Sequence, residues 1–463
     1  MKRTHWGTKL GFILATAGSA IGLGNIWRFP YLAGSYGGGS FLLMYLLCAL
    51  GLGYFLLLSK LAFGRVAQTN IVDGFQVVAE KDNKKVSSWW GSFGGLLAML
   101  NILLVSSVYV VVTGWTLSYV ILGVRNLFGI GEPVSAQTFS ALTSSFELQV
   151  FWGILCIAVT AGVLMRGVKK GIEKLSLILM PSLFVLLVLM TVCIFFLPHS
   201  EKGLAFLFTP NWEMMGFTRH GFDFNIFSDL FLTAMGQAFY SLSMGMGVMF
   251  IYGSYLSDKT NLKNATKWVI ILDTLVAVMA GMIVLPAVFA FGLAPTEGPT
   301  LSFISLPMVF SQMTGGSVLM LMFFMSLFVA ALTSLISIYE GGVSLLMDKF
   351  SLSRIKATLS LALTNFVITG VILASFTGHS DLKIAGQNLF SALDILTGSY
   401  TMLAFVLVTT VFIGWIVPNA IMQNVKEGDT KPKSKFFERY MRFTLKFTAP
   451  IILIILFASV FFK

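Results

Sequence analysis

Stretches of roughly 20 predominantly apolar residues recur along the whole chain, each long enough to cross a bilayer core as a helix. They predict eleven helical spans, near residues 10–35, 38–63, 91–123, 148–165, 172–197, 228–256, 266–292, 316–347, 355–378, 385–416 and 439–461. Two of these spans break their own pattern. Span 1 contains "AGSAIGLGNIWRFPY", Ala17 to Tyr31, in which glycines, an asparagine, an arginine and a proline interrupt the apolar stretch. Lipid offers the backbone no hydrogen-bond partner, so a broken helix there needs another way to satisfy its polar groups. Span 6 contains "GQAFYSLSMGMGVMFIYGSY", with Gly245 and Gly247 in its middle and Ser241 and Ser243 just before them.

Spans 1 and 6 each open a block of five, residues 10–197 and 228–416, and residues 439–461 form an extra helix in what reads as a single transmembrane domain over 1–463. An odd number of helices per block inverts the second block in the membrane. Glycine-interrupted helices at matching positions of inverted halves point to a transporter site near the midplane. Unwound carbonyls can hold a cation, and half-helix N-termini an anionic group. Small residues also serve close helix packing, which is the competing account of either segment alone. The pairing favours a binding site.

Composition sharpens this class. The chain is 56% hydrophobic and 11% charged, which excludes an ordinary soluble globular domain. Its net charge of +11 is unevenly placed. With a cytoplasmic N-terminus, 24 of the 31 Lys and Arg residues fall at the inner side, as the positive-inside rule demands. The excess is thus a topology signal with some attraction for membrane lipid, and no nucleic-acid partner is expected. A multi-pass chain in the cell membrane with an extracellular C-terminus follows from the same reading, and an uncleaved N-terminus is expected because the apolar stretch runs past any plausible cleavage point. Cys48, Cys156 and Cys193 lie in apolar spans, which implies neither a disulfide framework nor a metal cluster. The histidines, His5, His199, His220 and His379, lie near helix ends or in loops, which disfavours an intramembrane hydrolase, and no enzyme is expected.

Six motifs carry a resemblance: "HWGTKLGFILATAGSAIGLGNIWRFPY", "YGGGSF", "GWTLSY", "GQAFYSLSMGMG", "AGMIVLPAVFAFG" and "ALTSLISI". Through them the chain, over about residues 5–417, resembles a bacterial member of the neurotransmitter:sodium symporter family. That family has the LeuT fold, an all-α membrane architecture of two inverted five-helix repeats. The resemblance implies a sodium-coupled symporter importing neutral, hydrophobic amino acids by alternating access. It also implies two sodium ions and no obligatory protein partner.

Carried over residue by residue, one sodium site comprises the carbonyls of Gly18, Ile21 and Ala330 and the hydroxyls of Thr333 and Ser334. The other comprises the Ala20 carbonyl, Asn25, Ser241, a span 7 residue and the substrate carboxylate. Read without the resemblance, Thr333 and Ser334 would be ordinary hydroxyls bonded within a helix. Asp273 falls within a turn of both the family's sodium-binding and chloride-site positions in span 7. With Tyr45, Gln237 and Ser241 matching the chloride environment, it is expected to supply the negative charge and make chloride unnecessary.

The substrate's carboxylate would meet sodium, the amides of Leu23 and Gly24, and Tyr109. Gly22 stands where amine-carrying relatives have an aspartate, which leaves room for that carboxylate. The α-amino group would meet Ala20, Tyr240, Ser241 and Ser243. Val105, Tyr240, Met246, Ile338 and the edge of Ser334 would line an apolar side-chain pocket. Arg28 and Asp394 match an outer gate above Tyr109 and Tyr240, and Arg3 and Asp348 an inner gate beside Trp6 and Tyr255. Gly171 and Pro181 mark a weak point in span 5.

The chain departs from the family where Lys60 replaces a buried glutamate, and at Met44, Phe55 and Glu340. Lys60 is expected to snorkel to the interface. Glu340 would either compensate it or join the inner gate. These departures keep two alternatives open: a sodium-coupled carrier of another small organic solute, and a non-transporting amino-acid sensor.

Overall fold

The computed structural model describes residues 4–130, 134–292, 301–313, 315–428 and 434–460. Among them nine helices are long and apolar enough to cross a membrane, and a bent pair, Lys9–Ala20 and Gly24–Ser35, makes a tenth passage. This pair is span 1. The sixth expected span is likewise divided, into Phe224–Ser241 and Val248–Ser254.

Burial sorts the helices into a centre and a rim. The apolar windows of Gly316–Phe350 (span 8) and Trp89–Leu127 (span 3) are 78% and 72% buried, and the two helices pack along each other. Those of Val168–Phe195 (span 5) and Arg354–Phe376 (span 9) are each only 33% buried. Their outer faces carry leucines, valines and phenylalanines, as a lipid-facing helix requires. Phe146–Met165 (span 4) and Lys435–Ser459 (span 11) belong with this rim.

The two breaks have local causes. Lys9–Ala20 begins at Thr8, whose hydroxyl accepts from Gly11 N, and ends where Ile21 turns extended (φ −68°, ψ 111°). The chain resumes through a π-helical turn at Gly24–Arg28, which runs directly into Phe29–Ser35 with Pro30 in its first turn. The two halves meet at 52°. In span 6, Asp223 caps Phe224–Ser241 by accepting from Asn225 N and Ile226 N. Residues 242–247 then leave the helix, with Ser243 at φ +49° and Gly247 at φ +71°. Below the break, Val248–Ser254 crosses Tyr54–Ala67 of span 2 so closely that a Cβ on Gly64 would stand 1.8 Å from Phe250 O. Only glycine permits that approach. The crossing fixes the lower half of span 6 against span 2.

Candidate functional site

The two breaks face each other at the centre of the bundle, bridged by a hydrogen bond from Ser243 Oγ to Ser19 O at 2.7 Å. Ser334, from the middle of span 8, reaches the same place. Its Oγ lies 3.0 Å from Ile21 O, 3.3 Å from Ser19 O and 3.4 Å from Gly18 O. Beside it in the same helix, Thr333 Oγ1 lies 3.1 Å from Ala330 O. One hydroxyl proton cannot satisfy three carbonyls, and these carbonyls close the C-terminal, electronegative end of Lys9–Ala20. Ser334 thus shares an oxygen-only cluster with the Gly18, Ser19 and Ile21 carbonyls, whereas Thr333 Oγ1 bonds within its own helix, also lying 3.0 Å from Val329 O.

A second cluster joins spans 1, 6 and 7. Asn25 Nδ2 donates to Ser241 Oγ at 3.0 Å, to Asp273 O at 3.0 Å and to Asp273 Oδ1 at 2.8 Å, while Asn25 Oδ1 accepts from Gly22 N at 3.1 Å. Ser241 Oγ lies 2.9 and 2.8 Å from the two Asp273 carboxylate oxygens. Tyr45 OH reaches Asp273 Oδ2 at 3.4 Å. Gln237 Nε2 donates to Gly24 O at 2.7 Å, tying span 6 to span 1 beside this cluster. Asp273 is fully buried. Asp273 thus touches Asn25 and Ser241 of the expected sodium site and Tyr45 of the expected chloride environment at once.

Between the clusters is a cavity of about 20 Å³, lined by Ala20, Gly22, Gly24, Val105, Tyr109, Tyr240, Ser241, Ser243, Met246, Ser334 and Ile338. Every residue expected at the substrate lines it except Leu23, whose N–H instead donates to Tyr109 OH at 2.9 Å. A Cβ on Gly22 would stand 2.5 Å from Tyr109 Oη and 2.8 Å from Ser334 Oγ. Here glycine is a space requirement.

Tyr109 and Tyr240 form the wall between this cavity and a larger one of about 370 Å³, which Trp27, Arg28, Phe303 and Asp394 also line. Arg28 and Asp394 share that cavity, but within the described residues no ion pair joins them. The Arg28 guanidinium lies over the Tyr240 ring, 5.0 Å from its centre.

The opposite end carries a seal among the described residues; of the expected inner pair, Arg3 lies outside them and Asp348 is exposed. Trp6 Nε1 donates to Tyr252 O and Trp6 N to Tyr255 O, each at 3.1 Å. Tyr255 OH donates to Glu340 Oε1 at 2.7 Å, and Glu340 Oε2 pairs with Arg354. Glu340 thus belongs to the seal and does not compensate Lys60. Nor does Lys60 snorkel: it is 3% exposed, donates to Thr409 Oγ1 and faces the Phe405 ring at 5.2 Å. Its position well inside Tyr54–Ala67, against span 10, keeps it from water.

Sequence reasoning missed Glu173. This residue accepts hydrogen bonds from Gly7 N and from both the N–H and the hydroxyl of Thr8. The signal was a single carboxylate within the basic stretch "RGVKKGIEK", which reads as a cytoplasmic loop.

A family model described as the sodium:neurotransmitter symporter family matches residues 3–128 and 140–463. The chain is 33% identical over 460 residues to an uncharacterized sodium-dependent transporter of Bacillus subtilis, covering 99% of this chain and 98% of that one. It is 31% identical over 468 residues to another from Haemophilus influenzae, with the same coverage of 99% and 98%. A similar solved structure is the crystal structure of MhsT in complex with L-phenylalanine. It has 34% identity and a TM-score of 0.85, covering 99% of this chain and 100% of that chain.

Proposed function

The chain belongs to the sodium:neurotransmitter symporter family and is a multi-pass, sodium-dependent symporter with the LeuT fold; from that premise we propose that it imports neutral, hydrophobic amino acids together with two sodium ions, independently of chloride. The observation that carries this reading is the convergence of Ser334 with the Gly18, Ser19 and Ile21 carbonyls beside a cavity walled by Val105, Tyr240, Met246 and Ile338. The cluster offers oxygens to a cation, and the cavity, about 20 Å³ as it stands, offers apolar walls that must part to admit a side chain. The L-phenylalanine bound to the similar solved structure supports the same substrate class.

Sodium is cargo here. An ion among the Gly18, Ile21 and Ser334 oxygens ties the end of Lys9–Ala20 to span 8. A second, near Ala20, Asn25 and Ser241, would meet the substrate's own carboxylate, so each cargo improves the site for the other. Asp273 holds a fixed carboxylate beside Asn25 and Ser241, the charge a chloride would otherwise bring. Transport then needs no covalent step, only exchange between states closed on opposite sides. The N-terminus is cytoplasmic and the C-terminus extracellular, as the placement of basic residues supports. The two inverted blocks, 10–197 and 228–416, supply the two opposed broken helices.

The test is equilibrium binding of radiolabelled neutral amino acids to the purified protein in sodium or potassium, with and without chloride. Saturable binding in sodium alone, unaffected by chloride, is the expected result. Binding that requires chloride would overturn the role of Asp273, and no amino-acid binding in sodium would overturn the substrate class.

A further inference from the structure

Glu173 is a buried carboxylate that the sodium and substrate clusters leave unused. It is 4% exposed and ends the π-helical turn Val168–Glu173 that opens span 5. Its Oε2 accepts from Gly7 N at 2.7 Å, and its Oε1 accepts from Thr8 N at 2.9 Å and Thr8 Oγ1 at 2.8 Å. Thr8 Oγ1 in turn accepts from Gly11 N at 2.9 Å, capping Lys9–Ala20. The fit is close: a Cβ on Gly11 would stand 2.2 Å from Glu173 Oε1.

We propose that Glu173 is a positioning residue for sodium, a releasable catch that holds the N-terminal end of span 1 against span 5 and so keeps the Gly18 and Ile21 carbonyls beside Ser334. The proposal rests on the reading of those oxygens as a sodium site. Lys9–Ala20 is a 12-residue rod, so movement at its capped end must carry through to the carbonyls at its other end. The donors explain why the catch can open. All three are neutral, and among the described residues no basic side chain pairs with Glu173. Lys169, Lys170 and Lys174 are exposed. Lifting an ionic partner away would strand a second buried charge. Here water can replace each N–H and O–H as the segment lifts, while the carboxylate keeps the short, strong bonds that favour closure when it is dry. Glycines at 7 and 11 clear the path.

The experiment is hydrogen–deuterium exchange of the purified full chain in sodium and in potassium, for wild type, Glu173→Gln and Gly11→Ala. The first variant removes the charge, and the second pushes the carboxylate aside without removing it. In sodium, both are expected to raise exchange of residues 4–14 about tenfold, with Trp89–Leu127 unchanged. Both are also expected to raise several-fold the sodium concentration that protects residues 16–22. Gly7→Ala, whose Cβ would stand 3.1 Å from Glu173 Oε2 and leave the Thr8 cap intact, should act in the same direction to a smaller extent and serves if Glu173→Gln does not fold. Wild-type exchange of residues 4–14 in these variants would overturn the catch. Opening of that segment with no change in sodium protection would overturn its role in positioning. Sodium having no effect on the wild type would instead overturn the sodium reading, while exchange of residues 4–14 still decides whether the catch exists.

Discussion

A single hydroxyl concentrates much of the proposed chemistry. Ser334 Oγ stands within 3.0–3.4 Å of three carbonyls but has one proton to share among them, so its surroundings are richer in acceptors than in donors. Ser334→Ala removes one cation oxygen and leaves the carbonyls without their hydroxyl neighbour. The loss of one such interaction is worth about 1 kcal/mol, so the sodium concentration for half-maximal amino-acid binding should rise by about five- to tenfold. Titrating sodium against binding of the wild type and the variant checks this, and an unchanged midpoint would remove Ser334 from the ion site. Residues of this kind were legible in the sequence because each lies inside a motif whose neighbours fix its register. Lys60 and Glu173 were not, and Glu340 was legible only as one of two alternatives. Their partners are Thr409, Thr8 and Arg354, and which partner a side chain finds depends on how each helix is rotated and how far it rises, quantities no local pattern records. Asp273 falls between these cases. Its neighbourhood was legible from "LDTLVAVMAG", but its contacts with Asn25, Ser241 and Tyr45 needed the fold.

Among the elements, the breaks themselves were the most legible feature, because clustered glycines weaken a helix in the very place where lipid would otherwise enforce one. What the sequence could not separate is a glycine needed for its backbone from one tolerated in a helix, and span 6 contains both. Gly247 has φ +71° and opens Val248–Ser254, yet its added Cβ would find ordinary contacts at 3.5 Å from Ala98 and 3.6 Å from Phe405. Gly247→Ala should therefore cost about 1–2 kcal/mol through the left-handed backbone alone. Gly236 lies within Phe224–Ser241 with nothing within 4 Å of its Cβ. Gly236→Ala should stabilise the protein by about 0.5–1 kcal/mol by restricting the unfolded chain. Thermal melts of both variants in one detergent should shift in opposite directions. Stabilisation of both would mean that Gly247 carries no strain, and destabilisation of both that Gly236 is not free to take a side chain. Ser243, at φ +49°, carries the same strain on a residue with a side chain, offset by its bond to Ser19 O across the two breaks.

At the scale of the whole molecule the two ends of the substrate path differ. On the side of Trp6, the chain is sealed by main-chain bonds to Tyr252 and Tyr255, by the Tyr255–Glu340–Arg354 chain and by Glu173. On the other side a cavity of about 370 Å³ reaches down to Tyr109 and Tyr240, and Arg28 rests on the Tyr240 ring without an ion-pair partner in Asp394. Both charges already line one cavity, so bringing them together requires spans 1 and 10 to approach over the two tyrosines. That approach would lower a charged pair onto the substrate cavity, where exclusion of water strengthens it. An interaction made only on closing should contribute little to the encounter with substrate and much to its retention. Asp394→Asn is therefore expected to leave the association rate of a labelled amino acid nearly unchanged and to raise its dissociation rate about tenfold. Uptake into proteoliposomes driven by an inward sodium gradient should fall at least as much. Arg28→Lys keeps the charge but loses the planar stacking on Tyr240, so it should fall between the wild type and Asp394→Asn. Stopped-flow binding alongside uptake distinguishes the two contributions. A fall in association rate with dissociation unchanged would mean that Arg28 and Asp394 steer the substrate in, and that closure over Tyr109 and Tyr240 is held by the aromatic rings alone.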